Sequence, residues 1–255
     1  GGKGQIKFKA TGGKYDKEGK IKKTWKGTVK IQDPLTGKDK ILEHTEEYFV
    51  ANPVLQVQSA SVQALYLNCG NDLQINCPAL GTEYDPKFRA AGGSASSGAK
   101  KGQVTIVPTT PNVTLSVSSG GTKIDDLKFK VRKIPKPEVV ALNGSKPVDE
   151  KRGMKAPGPR SIKMKAIPDE SFKAFLPKDA RYKVTKWEAT LVRGKRPVDK
   201  KTFSSETGNL SSFAAKAKPG DRIMIEVKKV MRLNFKGKTE TVNVGLVLKN
   251  IPLTD

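Results

Sequence analysis

Very few side chains in this 255-residue sequence could carry chemistry. There is one histidine, His44. A general base needs a nucleophile and an orienting partner beside it. His44 lies in Leu42-Glu43-His44-Thr45-Glu46-Glu47, a strand-like run in which it reads as an ordinary exposed residue. Asp125 and Asp126 are adjacent, so on a strand they point to opposite faces and cannot share a proton. Asp169-Glu170 read as charges at a helix start. No Walker-type or dinucleotide glycine run offers a phosphate cradle, and no EF-hand loop is present. The sequence therefore predicts no catalytic residue, no metal ligand and no cofactor. Cys69 and Cys77 have seven residues between them and no second Cys/His pair, which is not a zinc spacing. They are either a disulfide of an oxidising compartment or two small buried hydrophobes.

The elements around these residues follow period two. Leu127, Phe129 and Val131 alternate with Lys128, Lys130 and Arg132; Ile162, Met164 and Ala166 alternate with Lys163 and Lys165. Ile223, Ile225 and Val227 share a parity that Met231, Leu233 and Phe235 continue, and Val242, Val244, Leu246 and Leu248 share another. Such runs predict half-buried antiparallel strands, one face on a core and one wet. Turn residues separate them at Gly12-Gly13, Gly37, Gly70-Asn71-Asp72, Gly120-Gly121, Gly194 and Gly237, and Pro219-Gly220-Asp221 precedes another strand. A short helix is expected at 169–176, capped by Asp169. Ala91–Lys101 reads as a flexible Gly/Ser loop, and residues 145–160 as a long irregular one.

The fold class that follows is all-β, with antiparallel sandwiches in tandem. Two junctions divide the chain into a partial module at 1–48, a complete one at 49–136 and a larger one at 137–255. Pro135 and Pro137 stiffen the second junction. Ile6, Phe8 and Ala10 already alternate with lysines, so the chain opens in mid-pattern and is expected to be a fragment of a longer protein. No apolar run approaches the ~20 residues that span a bilayer. Of the net charge of +23, residues 137–255 hold the largest share, with 26 Lys and Arg against 13 Asp and Glu. That excess favours acidic partners. Nucleic acid is not expected, because the lysines alternate along strands and Trp25, Trp187, Phe129 and Phe235 sit at core-parity positions. The turn Arg193-Gly194-Lys195-Arg196 is one of the densest basic clusters.

One stretch, Leu65-Tyr66-Leu67-Asn68-Cys69-Gly70-Asn71-Asp72-Leu73-Gln74-Ile75-Asn76-Cys77-Pro78, resembles a hairpin of the periplasmic region of the GldM/PorM family. The opening Phe49-Val50-Ala51-Asn52-Pro53, the Phe129 to Pro137 strand-and-link, Tyr182 to Trp187, Pro219 to Ile223 and the closing strand Val244 to Ile251 are similar to the family in the same order. Cys69, Cys77 and Ala79 depart from its pattern. The resemblance implies immunoglobulin-like sandwiches forming an elongated rod in the periplasm. It also implies a homodimer anchored to the inner membrane by an N-terminal helix absent from this chain. The rod would join a proton-driven motor partner to outer-membrane-associated ring proteins through the C-terminal domain, powering type IX secretion and gliding. Arg193, Lys195 and Arg196 would then be candidate partner contacts. A periplasmic location favours a Cys69–Cys77 disulfide, which needs a bulge or a bend between sheets. The competing class is a cell-surface adhesin or carbohydrate-binding sandwich array.

Overall fold

The computed structural model describes residues 13–17, 19–58 and 64–255. The alternation at Ile6, Phe8 and Ala10, and Gly12 of the first turn, lie outside the described residues.

The first element is a ribbon of two strands, β1 (Lys20–Gln32) and β2 (Asp39–Ala51), paired antiparallel along their whole length. Asp33 builds the turn by accepting from the Leu35 and Thr36 amides at 2.8 and 3.1 Å. One face is charged, with cross-strand pairs Lys22–Glu47, Lys26–Glu43 and Lys30–Asp39. The other face carries Ile21, Trp25, Val29 and Ile31 beside Leu42, Tyr48 and Val50. Trp25, expected in a core, instead stays exposed and meets the His44 ring edge-on at 5.9 Å. The reason is that the ribbon shares no sheet and no core with the rest of the described chain.

The next strands are β3 (Gln56–Gln58), β4 (Leu65–Tyr66), β5 (Asn71–Asn76), β6 (Pro86–Ala91), β7 (Gly93–Ser97), β8 (Gln103–Pro108), β9 (Asn112–Ser119) and β10 (Thr122–Arg132). They form two four-stranded sheets, ordered β4-β10-β9-β6 and β3-β5-β8-β7. Leu65, Leu73, Ile75, Val104, Ile106, Val113, Leu115 and Val117 make the core between them. The Gly/Ser stretch read as a loop corrects to a strand: β7 pairs with β8 from Gly93↔Pro108 to Ser97↔Val104. Its small residues allow this, since a Cβ on Gly93 would lie 2.5 Å from the Val107 carbonyl oxygen.

The remaining elements are β11 (Glu138–Asn143), β12 (Lys146–Pro147), β13 (Met154–Lys155), β14 (Ser161–Ile167), α1 (Glu170–Phe175), β15 (Arg181–Arg193), β16 (Arg196–Phe203), β17 (Thr207–Asn209), α2 (Ser211–Lys216), β18 (Arg222–Leu233), β19 (Thr239–Val242) and β20 (Val247–Thr254). One sheet is β12-β11-β14-β17; the other is β13-β20-β18-β15-β16, with β19 also on β18. Trp187 is fully buried at the centre and donates through Nε1 to the Ser205 carbonyl at 2.7 Å. Asp169 caps α1, accepting from the Phe172 amide at 2.9 Å. Pairing is antiparallel except for the short edge contacts β4–β10 and β13–β20, which are parallel.

Two parities change within this domain. Ile223, Ile225 and Val227 are buried as expected, but beyond them the buried residues are Val230, Arg232 and Asn234. Met231 and Leu233 therefore face outward. The paired strand shifts register on both sides of Lys186, which absorbs the change. At the end of the chain Leu246 and Leu248 are exposed, and Ile251 and Leu253 fill the core instead. Gly245, with φ +76°, turns the chain between the two patterns.

Candidate functional site at the junction of two sandwiches

The most constructed polar site lies where the middle sandwich meets the C-terminal one. Between β4 and β5 the chain turns through Leu67, Asn68, Cys69 and Gly70. Asn71 shapes this turn from within. Its carboxamide accepts from the Tyr66 amide at 2.8 Å, and its nitrogen lies 2.9 Å from the Cys69 carbonyl and 3.1 Å from that of Ile106. Asn68 takes a left-handed φ of 55°, which asparagine tolerates. The turn is thereby presented, stiffly, to the C-terminal domain.

Against it stands Arg232 of β18. Its Nη1 donates to Cys69 Sγ at 3.3 Å and to Asp179 Oδ1 at 3.2 Å, and its Nη2 donates to Glu240 Oε2 at 2.6 Å. Asp179 also accepts from the Gly70 amide at 3.0 Å and the Phe235 amide at 3.1 Å. Glu240 accepts from Asn234 as well, at 2.6 Å. The carboxylate of Asp179 thus meets three donors from both domains, which is what a buried ion pair needs to offset its desolvation. Burial works against the Arg232 charge, but Glu240 and Cys69 hold its proton more firmly than usual. For Glu240, burial is outweighed by Arg232 and Asn234, so its carboxyl sits below the usual range.

An apolar layer surrounds the ions. Cys69, Phe172, Leu176 and Ala180 are buried together, with Tyr66, Phe175, Tyr182 and Ile134 against them. The Tyr66 and Phe172 rings meet edge-on at 4.9 Å. Gly70 packs so tightly that a Cβ there would lie 2.6 Å from the Phe235 ring. Of the linker, Ile134 joins this layer, Pro135 lines a cleft of about 280 Å³ beside Arg232 and Glu240, and Pro137 is buried.

The expected disulfide is not formed: Cys69 and Cys77 are both free and buried. The whole of β5 separates them. Six extended residues span roughly 20 Å, against the ~7 Å limit between bridged α-carbons. Burial first, and Asp179 second, push the Cys69 thiol up to about 12, so it stays neutral and unreactive. Cys77 lies at the far end of β5, where burial also raises its thiol.

Arg193, Lys195 and Arg196 sit at the β15–β16 turn. Arg193 is not free for a partner. It makes a two-pronged pair with buried Asp221 at 2.8 Å on each prong and donates to the Lys216 carbonyl at 3.0 Å. Lys195 and Arg196 are exposed. His44 lies on the ribbon, 3.4 Å from Glu46. Among the described residues, no three His, Cys, Asp or Glu side chains gather to hold a metal ion, and no helix is long and apolar enough to cross a membrane. Sequence reasoning missed Arg232 and Asp179. The available signal was Val184-Thr185-Lys186-Trp187 facing Val227-Lys228-Lys229-Val230, two matched pairs of polar residues where alternation allows one.

Fold and site together define a chain of β-sandwiches whose constructed feature is a joint. Two family profiles match it: the GldM third domain over residues 54–132 and the GldM C-terminal domain over residues 135–254. The chain belongs to the GldM family, and so to the machinery of type IX secretion and gliding. No curated protein matches it. Among solved structures it is similar to the adhesin InvE of Yersinia pseudotuberculosis, at 13% identity and a TM-score of 0.24, over 79% of this chain and 58% of that one. It is also similar to the D00-D0 domain of intimin, at 11% identity and 0.25, over 79% of this chain and all of that one. A third similarity is to cadherin domains 3-6 of protocadherin gamma B2, at 10% identity and 0.27, over 91% and 57%. Similarity at that level does not bear on function.

Proposed function

We propose that this chain is a non-enzymatic, load-bearing part of the secretion and gliding machinery. In this reading it lies in the periplasm as a homodimer, anchored through an N-terminal helix outside the chain. It passes motion from a proton-driven inner-membrane motor partner to ring proteins at the outer membrane, which its C-terminal domain meets.

The observation that carries the proposal is the joint between the two sandwiches. A passive tether would need only a flexible linker. Here Asp179 binds Gly70 and Arg232 binds Cys69 across the boundary, with the ion pair almost wholly out of water. Such a contact resists bending, because opening it breaks the Gly70–Asp179 and Cys69–Arg232 bonds and parts the apolar layer of Tyr66, Cys69, Phe172 and Leu176. The test is Asp179→Ala in the full protein in gliding cells. The expected result is normal protein abundance with reduced gliding and reduced export. Unchanged gliding and export, with the joint shown to be open by Cys69 labelling, would reject the role.

A further inference from the structure

The outer face of the larger C-terminal sheet is divided in two by the irregularity at Lys186. On one side, lysines are neutralised: Glu188 pairs with Lys200 at 3.0 Å and with Lys228 at 3.7 Å, and Glu226 pairs with Lys228 at 2.6 Å. On the other side the register places Lys186 opposite Lys229, Met231 between Lys183 and Thr241, and Leu233 between Arg181 and Thr239. Val184, Val230 and Arg232 point inward there, so Arg181, Lys183, Met231, Leu233, Thr239 and Thr241 point out. None of Lys183, Lys186 and Lys229 makes an ion pair among the described residues, and Arg181 binds only the Lys178 and Asn234 carbonyls.

Like charges placed directly opposite on neighbouring strands destabilise a sheet. Lys186 and Lys229 do this within a double register shift, and bulges of that kind gather at functional surfaces. We propose that this patch is a docking surface for an acidic protein segment. The proposal rests on the reading that the C-terminal domain meets a protein partner, and it names the surface.

Charge complementarity selects the occupant. The patch offers cations without carboxylates, around a floor of half-buried Met231 and Leu233. Acidic side chains would meet the lysine heads while apolar ones settle between their stems. A nucleic-acid surface would present exposed aromatics for stacking, and this one has none among the described residues. A lipid-inserting surface would need protruding, fully exposed apolar side chains, whereas Met231 and Leu233 are half-buried. The patch also lies on the same strands as the joint: Arg181, Lys183, Met231 and Leu233 alternate with Tyr182 and Arg232. A load taken up outside is therefore delivered directly to the clamp inside.

The test uses the full chain and two variants of equal charge change. One reverses Lys183→Glu, Lys186→Glu and Lys229→Glu; the other reverses Lys163→Glu, Lys165→Glu and Lys195→Glu. All six are exposed, and unchanged thermal melting establishes that both variants fold. The probes are a purified outer-membrane ring protein, a synthetic peptide of alternating Glu and Leu, and phosphatidylglycerol vesicles. The patch reversal is expected to weaken binding of ring protein and peptide by about tenfold or more, and the control by less than about threefold. Equal losses in the two variants would reduce the effect to general charge attraction and overturn the patch. Vesicle binding abolished by the patch reversal, with peptide binding unaffected, would overturn the acidic segment in favour of lipid. Should the ring protein fail to bind the parent chain while the peptide still discriminates, the ring partner is rejected and the docking surface stands.

Discussion

Arg232 and Asp179 are ion-paired at 3.2 Å with side chains only 3% and 1% exposed, at the boundary between two sandwiches. Removing one partner of such a pair leaves the other charged and dry. Asp179→Ala is expected to cost about 3 kcal/mol, the low end of the usual 3–5, because Glu240 still holds Arg232 from a partly exposed position. The double change Asp179→Leu with Arg232→Met removes both charges and is expected to recover most of that loss. Urea unfolding followed by Trp187 fluorescence, in a Trp25→Phe background, measures both. Equal destabilisation by the single and double variants would show that packing, not charge, holds the joint.

Cys69 reports the state of the joint. Its thiol is neutral until about pH 12 while buried. In a Cys77→Ser background it should resist iodoacetamide at pH 8 and react only in unfolded or opened protein. Denatured, non-reduced parent protein should titrate two thiols per chain, and a single intramolecular disulfide there would contradict the separation of the cysteines. The same shift has a stability consequence. The folded-state value lies above the ordinary thiol value of 9.0, so unfolding is favoured as the pH rises from about 9 towards 12, and the contribution is complete below 9.

Much of the fold was legible because alternation is a direct record of a two-faced sheet. Ile162, Met164 and Ala166 are buried in β14, and Val113, Leu115 and Val117 in β9, as period two requires. The joint was hidden for two reasons. Arg232 follows a parity change at Lys228-Lys229, so a single alternation carried through the strand assigns it to water. Asp179 comes from the segment after α1, and its partners lie 53 residues away at Arg232 and 109 away at Gly70. Pairing over such distances leaves no periodic trace. The cysteines misled for a related reason: both are buried, but at opposite ends of one strand, and only Cys69 joins the apolar layer of the joint.

Arg193 holds Asp221, and Asp221 also accepts from the Lys218 amide at 2.9 Å. Arg193 first, and then that amide, keep the Asp221 carboxyl below the usual range against the opposing effect of burial. A carboxyl lowered in the folded state stabilises above its unfolded value, and that stability is lost as pH falls through the folded one. Arg193→Ala should therefore lower the thermal midpoint at pH 7 and move acid unfolding to a higher pH. Lys195→Ala and Arg196→Ala should leave both unchanged. An acid-unfolding curve for Arg193→Ala that overlays the parent would show Asp221 to be satisfied without it.

Gly70 sets how closely the sandwiches approach. Its Cβ position lies 2.6 Å from Phe235 Cδ2 and 2.8 Å from Cγ, so alanine there must displace the ring. The Phe235 amide is one of the three donors on Asp179, and the ring cannot retreat without disturbing that bond. Gly70 also carries no left-handed φ, so the effect of alanine is steric at the boundary and not strain in the turn itself. In a Cys77→Ser background, Gly70→Ala is expected to raise Cys69 labelling by about tenfold or more, through local opening and not global unfolding. Both cores, sampled by Trp187 fluorescence and by exchange of the Leu115 amide, should keep their stability. Adding Phe235→Leu should restore slow labelling by making room for the methyl group. Labelling that stays slow in Gly70→Ala would mean the two sandwiches can part by the width of a methyl without loosening the clamp.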